Sequence, residues 1–176
     1  MATTNEEVKY EIQENPSLTE LSCFLENAFN ALTPGDQASF DVENKGQTLK
    51  EWLDIDQVKD YLKHGFLLEA RNEDGKLLGI VLFGKQNPIS WPDGNKAEMF
   101  VLAVDSSTRG LGIGSKLVEM AENAAREMGA KSLILSTHVL LTADHKFYEK
   151  LGFVKIGILK EYYGNGDAVF YSKKLN

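Results

Sequence analysis

The feature that most limits how this chain can fold is the stretch of residues 97–128. It opens with an unbroken apolar run at residues 99–104, the length of a strand that is covered on both faces. A glycine-rich loop follows, and apolar residues then recur at helical spacing. They are Ile113, Leu117, Ala121, Ala124, Ala125 and Met128. The stretch therefore predicts a buried strand, a tight loop and an amphipathic helix.

The loop itself, R-G-L-G-I-G at residues 109–114, predicts an anion-binding site. A helix start leaves backbone N–H groups unpaired at the positive end of the helix dipole, which suits a phosphate or a pyrophosphate. The spacing fits neither the P-loop nor the G-x-G-x-x-G dinucleotide motif. The alternative is an ordinary helix start with incidental glycines. Glycine, however, loses more conformational freedom on folding than other residues. An ordinary helix start would gain nothing from three glycines in five residues.

Two motifs resemble the GNAT superfamily of N-acetyltransferases. Arg109, Gly112 and Gly114 match the fixed positions of its R/Q-x-x-G-x-G/A loop, which holds the pyrophosphate of acetyl-coenzyme A. One helix and one strand later, A-D-H-K-F-Y-E-K-L-G-F at residues 143–153 is similar to a second family segment. Residues 162–168 resemble the last hairpin of the family. The resemblance covers residues 97–174, whereas the N-terminal half agrees only in the order of its elements.

The resemblance implies an α/β (α+β) fold of the GNAT acyl-CoA N-acyltransferase type. We expect a mixed, mostly antiparallel sheet of six or seven strands flanked by about four helices. Residues 1–176 would form a single domain, with a cofactor-binding core at about 97–153 and an acceptor-side segment at about 14–95.

Local signals agree with this order of elements. Residues 8–13 alternate as a strand, and Asp74-Gly75 predicts a hairpin between residues 66–71 and 76–84. Residues 131–139 read as a strand that a helical crossover places parallel to residues 99–104. Three helix starts are also expected. They are capping boxes at Ser17/Glu20 and Thr48/Glu51, and a cap at Thr142.

The activity that the resemblance implies is transfer of an acetyl group from acetyl-CoA to a primary amine. In this family the amine attacks directly in a ternary complex, without an acyl-enzyme or a metal. Cys23 lies far in sequence from both motifs, which agrees with that mechanism. The acceptor could be a small-molecule amine or a protein amine, because the acceptor side carries no motif that decides between them.

The resemblance also implies roles for particular residues. Tyr148 matches the general acid that protonates the coenzyme A sulfur, and Glu98 occupies a position suited to the general base. Leu102, Ala103 and Val104 would offer backbone groups to the pantetheine arm, and Lys150 a charge to a coenzyme phosphate. The loop residues would hold the pyrophosphate. They are Arg109, Gly110, Leu111, Gly112, Ile113, Gly114 and Ser115.

Alternatives remain open for several of these residues. Tyr148 could instead be a core aromatic, although we expect Phe147 to face the core and Tyr148 the cleft. Water could replace Glu98 as the base, and Glu69 is a weaker candidate. Many members carry an asparagine that bonds the pantetheine arm at the position of Leu141, which weakens any contact assigned there. His145 could substitute for it, and Lys150 could be a merely solvated charge.

Composition bounds the partners. The net charge of −7 argues against general nucleic-acid binding. No run approaches 18 apolar residues, and the polar start is not a signal peptide, so we expect no membrane association. A single cysteine fits a reducing, cytoplasmic compartment. A homodimer is left open. The rival functions are an acyl-CoA-binding sensor without turnover and a structural domain without a ligand, which would leave the loop unexplained.

Overall fold

The computed structural model describes residues 7–31, 55–85, 95–163 and 166–176. Seven strands occur within these residues. They are β1 (Lys9–Gln13), β2 (Gly65–Arg71), β3 (Leu77–Lys85), β4 (Lys96–Val104), β5 (Ser132–His138), β6 (Val154–Leu159) and β7 (Ala168–Lys174). The same residues contain four α-helices. They are α1 (Leu18–Asn30), α2 (Ile55–His64), α3 (Ile113–Glu127) and α4 (Thr142–Lys150).

The strands form one sheet in the order β1-β2-β3-β4-β5-β7-β6. Every neighbouring pair is antiparallel except β4 and β5, which are parallel and joined through α3. The predicted mixed, mostly antiparallel sheet and the parallel crossover are therefore confirmed. Among the described residues, no helix is both long and apolar enough to span a bilayer.

Helices cover both faces of the sheet. On one face, α1 and α2 pack their apolar side chains, such as Leu21 and Val58, against β2, β3 and β4. On the other, α3 packs Leu117 and Ala121 into a core that also receives α4. An extra residue in β4, Phe100, shifts the register between β3 and β4. After this bulge, Leu102 and Val104 pack on the α3 face, whereas Val101 and Ala103 pack on the face of α1 and α2.

Of the three predicted helix starts, one is confirmed in part, one is wrong and one lies outside the described residues. The Ser17 hydroxyl accepts from the Glu20 amide at 3.3 Å, as the capping box requires. The Glu20 carboxylate does not complete the box, because it accepts two bonds from Arg71 at 2.8 and 2.9 Å. The cap predicted at Thr142 is wrong, since Leu141 is the cap and Thr142 is the first helical residue. The second capping box, at residues 48–51, lies outside the described residues.

Candidate active site

Two cavities lie along the line where β4 and β5 part. The last pair in register is Met99 with Leu135, but β4 continues to Val104 and β5 to His138. The cavities, of about 450 and 380 Å³, open along these diverging ends. Five residues line both of them, so the two cavities meet there. They are Phe29, Leu102, Leu141, Asp144 and Tyr148.

The larger cavity, here called the loop cavity, is bordered by the glycine loop. Gly110 and Gly112 have φ of 82° and 86°, a left-handed conformation that favours glycine. A Cβ added at either would meet nothing within 4 Å, so their backbone is open to an incoming group. Gly112 is the cap of α3 and offers no side chain to the first amides of the helix. The loop cavity therefore has the features of a helix-start anion site.

Most residues that the resemblance assigned to coenzyme A border the loop cavity. Leu111 lines neither cavity, and 74% of its surface is exposed. The Arg109 side chain borders the loop cavity but donates to Val104, Ala28 and Ala31, whose backbone carbonyls accept. The other assigned residues line the loop cavity. They are Leu102, Ala103, Val104, Gly110, Gly112, Ile113, Gly114, Ser115, Tyr148 and Lys150.

Tyr148 lies where the two cavities meet. It is 7% exposed and packs edge-on against Phe147 and Phe153, with ring centroids 5.2 and 5.8 Å away. Burial, reinforced by the Asp144 carboxylate, raises the pKa of Tyr148 well above its usual value. Tyr148 faces the cleft as predicted, since it lines both cavities, but the prediction that Phe147 instead faces the core is wrong. Phe147 is only half-buried and lines the loop cavity, and Tyr148 is the more buried of the two.

The smaller cavity, here called the aromatic cavity, carries Glu98 on its β4 wall. Besides Tyr148, five phenylalanine and tyrosine side chains line it, and burial raises the pKa of the Glu98 carboxyl. Tyr163 shares a 2.8 Å hydrogen bond with Ser136, and burial raises the pKa of Tyr163 to about 12. The aromatic residues come from four separate parts of the chain. They are Phe29, Tyr61, Phe100, Tyr162 and Tyr163.

Other sequence candidates lie away from both cavities. Glu69 is 2% exposed and pairs with Arg71 at 2.8 Å, which indicates a structural role. His145 does not take the place of the missing asparagine. Its ring nitrogens lie 3.0 Å from the Tyr171 hydroxyl and from the Val139 carbonyl, beneath α4. Cys23 is exposed on α1 and borders neither cavity.

Sequence reasoning missed several residues that line the site. Asp144 borders both cavities and accepts a 3.1 Å bond from the Thr137 hydroxyl. Its position four residues before Tyr148 places it one helical turn away, a spacing that could have revealed it. Phe29 and Tyr61 are separated from the motifs by more than 35 residues. No local pattern could assign them, because only the folded sheet brings their helices to β4.

The sequence of this chain is similar to a known protein family. A sequence model of the Acetyltransferase (GNAT) family matches residues 27–153. The chain belongs to this family.

Known acetyltransferases share part of this sequence. N-alpha-acetyltransferase 30 of Schizosaccharomyces pombe is 37% identical over 70 residues, which cover 40% of this chain and 47% of that protein. The chain thus matches about half the length of that relative. An N-alpha-acetyltransferase of Sulfurisphaera tokodaii is 27% identical over 122 residues, covering 66% of this chain and 71% of the relative.

A solved acetyltransferase structure shares the fold of this chain. The Bacillus subtilis acetyltransferase in complex with CoA superposes with a TM-score of 0.68 at 18% identity. The superposition covers 97% of this chain and all of the other. The resemblance stated from the two motifs and the fold expected from it are both confirmed.

Proposed function

We propose that this chain transfers the acetyl group of acetyl-CoA to a primary amine by direct attack in a ternary complex. The observation that carries the proposal is the junction of the two cavities at Tyr148. One cavity ends at an anion-binding helix start, and the other holds a half-buried carboxylate. The thioester would lie between the two cavities. The attacking amine would approach from the Glu98 side, and the nucleotide of the coenzyme would lie on the loop side.

Each part of the site would serve one requirement of the reaction. The amides at the start of α3 would bind the pyrophosphate. The edge of β4 that β5 leaves unpaired, at Leu102, Ala103 and Val104, would bond the pantetheine arm. Glu98, or a water molecule beside it, would accept the proton of the attacking amine. The new C–N bond forms as the C–S bond breaks, and Tyr148 would donate its proton to the departing sulfur.

The acceptor that we propose is the amine of a protein N-terminus or of a small molecule. Two relatives carry the name N-alpha-acetyltransferase, which supports the first class. An aromatic cavity with a carboxylate accommodates the ammonium form of either class. A screen of amines and short peptides that follows free thiol released from acetyl-CoA tests both classes at once.

The rival function is a catalytically silent acyl-CoA sensor, and Tyr148→Phe separates the two. The change removes one hydroxyl and almost no volume, so CoA affinity and folding should hold. Turnover of an acceptor found in the screen should fall on the order of 10²-fold or more, as for loss of a positioned acid. Calorimetry with CoA and the thiol assay measure the two quantities on one variant.

Tyr171→Phe is the matched control, because Tyr171 is a buried tyrosine that lines neither cavity. It should leave turnover within about twofold of the wild type. Full turnover by Tyr148→Phe would remove Tyr148 from the mechanism. CoA binding without turnover of any amine in the screen would favour the sensor.

A further inference from the structure

Arg109 joins the glycine loop to the end of β4, five residues before it, and to the end of α1, about 80 residues before it. Its Nη2 donates to the Ala28 carbonyl at 2.8 Å, and its Nη1 donates to the Ala31 carbonyl. Its Nε lies 3.4 Å from the carbonyl of Val104, at the end of β4. The guanidinium of the glycine loop thus bridges the end of the central strand and the end of α1.

The end of α1 has a specific need for such a cation. The last carbonyls of a helix lack partners within the helix and carry the negative end of its dipole. The last turn of α1 contains no basic residue of its own. Arg109 supplies the charge from the loop, and its planar fork allows it to bond two carbonyls at once. The same bonds place positive charge between the helix end and the anion-binding loop.

The last turn of α1 also forms part of the site. Ala28 lines the loop cavity, and Phe29 lines both cavities at their junction. The three hydrogen bonds of Arg109 therefore set the distance between Phe29, in the wall of both cavities, and the glycine loop, where the pyrophosphate would bind.

We infer that Arg109 is a positioning residue that clamps the last turn of α1 against the glycine loop and so aligns the acceptor with the thioester. In this assignment its side chain acts on α1, while the backbone of the loop serves the phosphates. The inference rests on the proposed acetyl transfer, because alignment of two substrates is what the clamp provides.

A truncated donor distinguishes the clamp from a phosphate ligand. S-acetylpantetheine has the thioester and the pantetheine arm but no pyrophosphate. Arg109→Gln should lower kcat/KM for the acceptor by about tenfold or more, the scale of losing a hydrogen bond to a charged donor. This loss should be the same with S-acetylpantetheine as with acetyl-CoA. Arg109→Lys should not restore activity, because one ammonium cannot reproduce the fork. A loss confined to acetyl-CoA, or its rescue by lysine, would overturn the clamp.

Hydrogen exchange tests the clamp without any turnover. In the free Arg109→Gln protein, amides in the last turn of α1 should exchange about tenfold faster or more, whereas those in the middle of α3 should not change. Arg126→Gln is the matched control, because Arg126 bonds Asn123 and Asn176 at the far end of α3. Unchanged exchange in α1 would refute the clamp. Failure to find any acceptor would count instead against the proposed acetyl transfer.

Discussion

Glu98 combines the two properties that a general base in this site requires. Its carboxylate lines the aromatic cavity from β4. Burial raises the pKa values of Tyr61, Tyr162 and Tyr163 there, and the charge of Glu98 adds to the effect. Burial raises the pKa of Glu98 itself because the charged form loses solvation. A glutamate with a raised pKa is a stronger base than an exposed one, and its pKa lies nearer to neutral pH.

Replacement of Glu98 by glutamine should lower turnover at neutral pH by roughly 10²-fold or more. The wild-type rate should fall as pH decreases through the raised pKa of Glu98, since the protonated carboxyl cannot accept a proton. The variant should lack this step, and its defect should shrink at high pH, where the amine is already neutral. A pH–rate profile measures both effects, with Glu119→Gln on the exposed face of α3 as the control. An unchanged profile would indicate that water carries the proton.

Helix α3 carries a left-handed glycine at each end, which isolates the function of the loop. Gly112 precedes the helix with φ 86°, and Gly129 follows it with φ 81°. A Cβ added at either glycine would meet nothing within 4 Å. The two positions therefore share the same backbone strain on substitution, but only Gly112 borders a cavity.

Alanine at each glycine should separate strain from ligand binding. Gly112→Ala and Gly129→Ala should each lower the free energy of unfolding by about 1–2 kcal/mol, the cost of a left-handed alanine. Only Gly112→Ala should weaken CoA binding, by about tenfold or more, because its methyl group occupies the space of the incoming phosphate. Thermal unfolding and calorimetry measure the two effects. Equal CoA affinity in both variants would show that the loop backbone does not hold the nucleotide.

The local elements could be predicted from the sequence, but the long-range contacts between them could not. The glycine loop, the parallel crossover and the Asp74-Gly75 hairpin follow from short-range spacing, and the structure has all three. The bulge at Phe100 depends on pairing with β3, so the unbroken apolar run gave no sign of it. Likewise, the bonds from Arg109 to α1 join residues about 80 positions apart.

At the scale of the whole molecule, we expect the buried His138 to make folding stability depend on pH. It ends β5 with 2% of its surface exposed, and its ring lies 5.9 Å from the Tyr163 ring. A Cβ at Gly166 would overlap its Nε2, so the ring fills the space up to the start of β7. Burial lowers the pKa of His138 to about 4, although Asp167 nearby opposes the shift.

Folding stability should therefore fall as pH decreases from about 6.5 to about 4. The pKa of His138 is lower in the folded protein than the usual value of about 6.5 in the unfolded chain, so the unfolded state binds the proton first. The contribution of neutral His138 to the free energy of unfolding is complete above about pH 6.5. Up to about 3 kcal/mol of this contribution is lost by about pH 4. Urea unfolding across this range measures the loss. His138→Gln should flatten the curve relative to the wild type, whereas His64→Gln, at the exposed end of α2, should not. The same slope in the wild type and in His138→Gln would assign the acid sensitivity to other groups.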